Sequence, residues 1–108
     1  MSVIDSINCQ ALKQYLDDEK RFVLLDVRDP EEFEVCQIDG SILTPLPEFE
    51  EHLLDFDPEK EYVVYCKLGK RGEKACSIMK ANGFKKVKNL TGGIMAWATE
   101  IETHFEKY

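Results

Sequence analysis

One hundred and eight residues with a formal charge of −7 fit a single domain, residues 1–108, with one core and no room for a second. The hydrophobic share of 44% and charged share of 32% are those of a soluble chain, and no window holds the ~18 apolar residues that a membrane span requires. The acidic balance argues against a general binder of nucleic acid or anionic membrane, because phosphate recognition draws on Lys and Arg spread over a broad face.

The start, Met1-Ser2-Val3-Ile4-Asp5, lacks the basic and apolar stretches of a secretory signal, so a cytoplasmic location is expected. Asn8 caps a predicted helix over residues 10–16, on which Leu12, Tyr15 and Leu16 recur at helical spacing. Residues 22–27 then form a nearly continuous apolar run, as in a strand covered on both faces. Asp29-Pro30-Glu31-Glu32 reads as a helix start, with Asp29 at the cap, Pro30 in the first turn and Glu32 placed to reach back. Ile42-Leu43-Thr44 predicts a short strand stopped by Pro45. A helix from near Pro47 is expected to turn Phe49, Leu53, Leu54 and Phe56 inward, and Asp57-Pro58 to turn the chain back to a strand over residues 62–65.

After a cysteine-containing turn, Ala75, Ile78 and Met79 mark a helix that Asn82-Gly83-Phe84 closes. Residues 87–90 give a last strand, and Thr91-Gly92-Gly93 leads into a helix with Ile94, Trp97, Ala98 and Ile101 on one face. Residues 103–108 form the least constrained part. Strand and helix signals alternate throughout, which predicts an α/β domain with a mostly parallel sheet flanked by helices on both faces.

Chemistry concentrates in Tyr65-Cys66-Lys67-Leu68-Gly69-Lys70-Arg71-Gly72. Ligands of parallel sheets bind beyond the carboxyl ends of strands, and Cys66 falls at such an end, just before a helix. The amides that open a helix have no intrahelical partner, and they carry the positive end of its dipole. Gly69 lets the loop curl, while Lys67, Lys70 and Arg71 add positive charge in an otherwise acidic chain. Such a turn is built to hold a thiolate. The structural alternative is a small buried residue at a strand end, but Gly69, Arg71 and the following helix favour the reactive reading. Only four residues, Lys67, Leu68, Gly69 and Lys70, separate Cys66 from Arg71. Cysteine phosphatases use a longer cradle, so this loop suits one additional sulfur better than a phosphoryl group.

These residues resemble the rhodanese superfamily, whose pattern C-x-x-G-x-R is matched by Cys66, Gly69 and Arg71. Leu25-Asp26-Val27-Arg28 with Glu31-Glu32-Phe33 resembles its first signature, Ile38-Asp39-Gly40-Ser41 the turn that follows it, and Leu90-Thr91-Gly92-Gly93 with Ala96-Trp97 its last signature. Glu34-Val35-Cys36-Gln37-Ile38, Leu43-Thr44-Pro45-Leu46 and a final helix leading to Tyr108 look like the rhodanese domain of MoeB- and ThiF-type adenylyltransferases. The resemblance implies a five-stranded sheet and a sulfurtransferase that carries sulfur on Cys66 as a persulfide, with no metal or organic cofactor. It implies that Arg71 acts with Cys66, within a loop of Lys67, Leu68, Gly69, Lys70 and Gly72. It also implies a small anionic donor such as thiosulfate, and a cyanide, thiol or protein acceptor, among them a ubiquitin-like sulfur carrier; the donor could itself be a protein. Leu68 and Gly72 stand where many relatives have small polar residues, so backbone amides must hold the sulfur here. Cys36-Gln37 replaces a common Gly-His.

Asp26 and Arg28 lie where they could support the Cys66 loop, although Arg28 could instead pair with Glu31 or Glu32. Cys76, one turn into the next helix, is expected in the core, with the alternative of resolving an oxidised Cys66. Cys9 and Cys36 read as inert. Four widely spaced cysteines without a C-x-x-C pair, and only His52 and His104 beside them, argue against a structural zinc site or a Cys-His nucleophile. Trp97 is expected in the core. The rival functions are a phosphatase or arsenate-reductase-like variant of the same fold and a non-catalytic protein-interaction module.

Overall fold

The computed structural model describes residues 4–108. Five strands make one sheet: β1 Ser6–Ile7, β2 Val23–Asp26, β3 Ile42–Leu43, β4 Glu61–Tyr65 and β5 Lys86–Leu90. Every pairing is parallel, in the spatial order β1-β5-β4-β2-β3. Parallel neighbours need crossover connections, and these carry the helices α1 Cys9–Asp17, α2 Pro30–Val35, α3 Phe49–Leu53 and α4 Lys70–Ala81; α5 Gly93–Glu100 follows the last strand. None of the described helices is long and apolar enough to cross a membrane.

Alternation along the strands divides the core into two layers. On one face Leu25, Tyr62, Val64 and Val87 pack with Phe49 and Leu53 of α3 and Ala75, Cys76 and Met79 of α4. On the other, Leu24, Val63, Tyr65 and Leu90 pack with Leu12 of α1 and Ile94 and Trp97 of α5. Both faces of β4 are therefore covered, which explains why its sequence is apolar without a break.

Local signals set most helix ends. Asn8 accepts the amide of Ala11 at 2.8 Å and caps α1. Before α2, the amide of Asp29 donates to Glu32 Oε1 at 3.2 Å, the reach-back that the spacing predicts. At the end of α4 the amide of Phe84 donates to the Met79 carbonyl at 3.1 Å, and Phe84 is buried.

Three features differ from expectation. Strand β1 has only two residues, too few to show any period, and is held by its pairing of Ser6 with Asn89 and Ile7 with Leu90 of β5. The helix expected from Pro47 opens as a 3-10 turn over Leu46–Glu48 before α3, and it ends at Leu53. Leu54 thus lies past the helix and is 87% exposed rather than inward. Finally, residues after α5 return to the sheet: Phe105 packs on the second core layer, and Tyr108 reaches Arg28 and Glu32.

Candidate active site

Cys66 directly follows β4 at the carboxyl edge of the sheet, with only 1% of its surface exposed. Its Sγ accepts the amide of Gly69 at 3.0 Å and the amide of Gly72 at 3.3 Å. Both donors belong to the turn that opens α4, where main-chain amides lack helical partners. Gly69 caps that helix at φ 121°, a conformation that side chains with a Cβ rarely adopt. Leu68, in the loop, is 66% exposed.

A second helix start braces the loop from below. The amide of Ile94 donates to the Cys66 carbonyl at 2.8 Å, and that of Met95 to the Lys67 carbonyl at 3.2 Å. Gly93 makes this approach possible, since a Cβ there would stand 2.4 Å from the Lys67 oxygen and 2.5 Å from the Cys66 oxygen. The Thr91-Gly92-Gly93 turn therefore supports the Cys66 loop.

The three expected cations have different surroundings. Arg71 grips Glu32 through two hydrogen bonds, Nη1 to Oε1 at 2.6 Å and Nη2 to Oε2 at 3.0 Å. This fork geometry is the strong one for Arg and carboxylate. Hydrogen bonding from Arg71 leads the effects that hold the Glu32 carboxyl down at about 2, against its partial burial and with help from Tyr108. Lys67 Nζ lies 4.5 Å from the centroid of the Tyr108 ring. Lys70 is exposed on the first turn of α4. Arg71 and Lys74 also line a cleft of about 430 Å³ with Val27, Asp29, Leu46 and Glu50.

Asp26 and Arg28 form a buried ion pair beside the site, Nη2 to Oδ2 at 2.6 Å, with both side chains inaccessible. Arg28 therefore pairs with Asp26, correcting the alternative of a carboxylate on Glu31 or Glu32. It also donates to the carbonyls of Glu32 and Cys36, at 3.2 and 2.7 Å, and to the Tyr108 hydroxyl at 2.8 Å. Burial opposes its charge, but the bonds to Asp26 and Tyr108 outweigh burial and raise its pKa. None of these bonds reaches residues 66–72; the pair ties the end of β2 to α2 and so holds Glu32 in reach of Arg71.

Among residues that the sequence does not single out for the site, Glu32 contacts Arg71 and Tyr108 contacts Lys67. The Tyr108 hydroxyl donates to Glu32 Oε2 at 2.7 Å while accepting from Arg28. Asn89, on β5, donates through Nδ2 to the Gly69 carbonyl at 3.0 Å. The remaining cysteines are free thiols in the core. Burial pushes Cys76 up to about 12, which leaves it poorly suited to resolve an oxidised Cys66. Burial, and then Glu100, push Cys9 up to about 11. His52 lies 4.0 Å from Glu48, His104 stacks edge-on against Phe105, and Trp97 is buried in the second core layer.

The chain and its fold have clear counterparts among known proteins. The rhodanese-like domain family matches residues 8–100. YrkF of Bacillus subtilis is 37% identical over 101 residues, 94% of this chain and 55% of YrkF. A sulfurtransferase of Allochromatium vinosum is 30% identical, covering 89% of this chain and 90% of that protein. The adenylyltransferase and sulfurtransferase MOCS3-1 of Zea mays is 29% identical, over 94% of this chain and 23% of MOCS3-1. This chain thus spans about half the length of YrkF and about a quarter of MOCS3-1. A rhodanese-like domain protein from Staphylococcus aureus superposes with a TM-score of 0.84 at 30% identity, covering 97% of this chain and 99% of that one. With the expected fold, loop and signatures in one arrangement, this chain belongs to the rhodanese-like domain family, among relatives named sulfurtransferases.

Proposed function

We propose that Cys66 carries sulfane sulfur as a persulfide between an anionic donor and a nucleophilic acceptor. The observation that supports this most is the pair of amides, from Gly69 and Gly72, directed at Cys66 Sγ. Amide donors favour a sulfur that bears negative charge, such as the terminal sulfur of a persulfide. With thiosulfate as donor, the Cys66 thiolate attacks the outer sulfur. A sulfur–sulfur bond forms to Cys66, the bond to the sulfonate sulfur breaks, and sulfite leaves with the electron pair.

In the second half-reaction cyanide, a thiolate or a protein acceptor attacks the terminal sulfur. Thiocyanate or a new persulfide forms, and Cys66 recovers its thiolate. The chemistry proceeds on the protein's own sulfur and calls for no resident metal or organic cofactor. Arg71, at the cleft, and Lys67 and Lys70, on the loop, attract the donor and stabilise departing sulfite. The exposed Leu68, beside those cations, gives a protein acceptor an apolar contact at the loop mouth. A ubiquitin-like sulfur carrier fits this role.

The slight exposure of Cys66 and the short loop favour transfer of a single sulfur over transfer of a bulkier phosphoryl group. Steady-state kinetics with thiosulfate and cyanide test the reading. Parallel double-reciprocal lines, the mark of a covalent intermediate, are expected. Intersecting lines, or hydrolysis of an aryl phosphate without sulfur transfer, would contradict it.

A further inference from the structure

Asn89 is a buried polar residue near the end of β5, flanked by strands on both sides. It pairs with Val64 of β4 on one side and Ser6 of β1 on the other, and only 5% of it is exposed. Strand interiors favour apolar or β-branched residues, so an amide here calls for a reason. Its side chain reaches toward α4, where Nδ2 donates to the Gly69 carbonyl at 3.0 Å. The same carbonyl accepts the amide of Glu73 at 3.0 Å, the first bond of that helix.

The other end of the amide sits against Gly72. A Cβ at that position would lie 2.1 Å from Asn89 Oδ1, so only glycine fits with Asn89 in place. Asn89 Oδ1 is buried and has no hydrogen-bond partner among the described residues. A buried acceptor without a partner is unfavourable, which makes the donor end the reason for the amide. Gly69 and Gly72, which the side-chain amide of Asn89 meets on the loop, are the two residues whose amides point at Cys66 Sγ.

We propose that Asn89 is a positioning residue for sulfur transfer, aligning from behind the loop the two amides that hold the Cys66 sulfur. It never contacts the donor. By fixing the Gly69 carbonyl and closing the space beside Gly72, it removes the freedom of the loop to rotate its amides away. This rests on the persulfide reading above. Because Arg71 and Lys67 are untouched, the loss of Asn89 acts on the reactivity of sulfur and spares donor binding.

The test compares the full chain with Asn89→Ala, Asn89→Asp and the core variant Val87→Ala. Asn89→Asp keeps the shape but sets an acceptor against the Gly69 carbonyl. Circular dichroism and thermal unfolding establish folding, mass spectrometry follows alkylation of Cys66 by iodoacetamide at pH 7, and kinetics with thiosulfate and cyanide give kcat and KM. In folded Asn89→Ala, alkylation and kcat are expected to fall about tenfold with KM within about twofold, as for loss of an aligned donor. Should that variant not fold, Asn89→Asp decides on the same readings.

Rates within about twofold of the parent, or a change confined to KM, would overturn the proposal. So would an equal slowing in Val87→Ala, since that would trace the effect to general destabilisation. If the parent itself gains no sulfur from thiosulfate, the persulfide reading fails, while the alkylation comparison still decides the part played by Asn89.

Discussion

Replacing Glu32 with glutamine separates the ion pair that Arg71 makes from the donor-attracting role proposed for it. The carboxylate now holds the guanidinium through bonds of 2.6 and 3.0 Å. Arg71, working against partial burial and with Tyr108, brings Glu32 from an ordinary 4.5 to about 2. Taken whole, that depression corresponds to about 3 kcal/mol of stability. The Arg71 side chain is 34% exposed, however, and solvent screening lowers the expected contribution to about 1–2 kcal/mol. A depressed carboxyl stabilises above its unfolded value and loses that contribution as pH falls through its folded value. The Glu32→Gln penalty should therefore be full at pH 7 and shrink by roughly half or more by pH 3.

Urea unfolding of parent and variant across this range measures the difference. Glu32→Gln also removes the negative charge beside Arg71 and releases Arg71 to an incoming divalent anion. At a separation of ~8 Å in water-like surroundings, that is about 1 kcal/mol, or an approximately fivefold lower KM for thiosulfate. A penalty that stays constant from pH 7 to pH 3 would refute the ion-pair argument. An unchanged or higher KM would refute the claim that Glu32 restrains Arg71.

Two further substitutions probe the frame around the sulfur. Gly93→Ala puts a Cβ against the carbonyls of Cys66 and Lys67 at a backbone φ of 61°, and should cost roughly 2–3 kcal/mol in thermal or urea unfolding while lowering kcat at least tenfold. Tyr108→Phe keeps the ring against Lys67 but removes the hydroxyl between Arg28 and Glu32. It should lower unfolding stability by about 1 kcal/mol, while Cys66 still takes up sulfur.

The sequence exposes local parts of this design and hides the long-range ones. The Cys66 loop is legible because cysteine, glycine, arginine and the helix start lie within a few residues, and chemistry at a strand end follows from them. The Asp29-Pro30-Glu32 helix start is legible for the same reason. By contrast, nothing local separates Glu32 from Glu31 as the partner of an arginine 39 residues away. Tyr108 meets Glu32 across 76 residues, and Asn89 meets Gly69 across 20. Those pairings arise only when the sheet brings the ends of β2, β4 and β5 together. The tail after α5 lacks periodicity, yet Phe105 and Tyr108 find partners on the folded body. Leu54 misleads for the opposite reason: the apolar pattern continues past Leu53, but the helix does not.

Intact-mass spectrometry after incubation with thiosulfate tests the central claim most directly. The parent protein and Cys76→Ser should each gain about 32 Da, one sulfur lost again on adding cyanide, and Cys66→Ser should gain nothing. A gain that persists in Cys66→Ser, or no gain in the parent, would contradict sulfur transfer through Cys66.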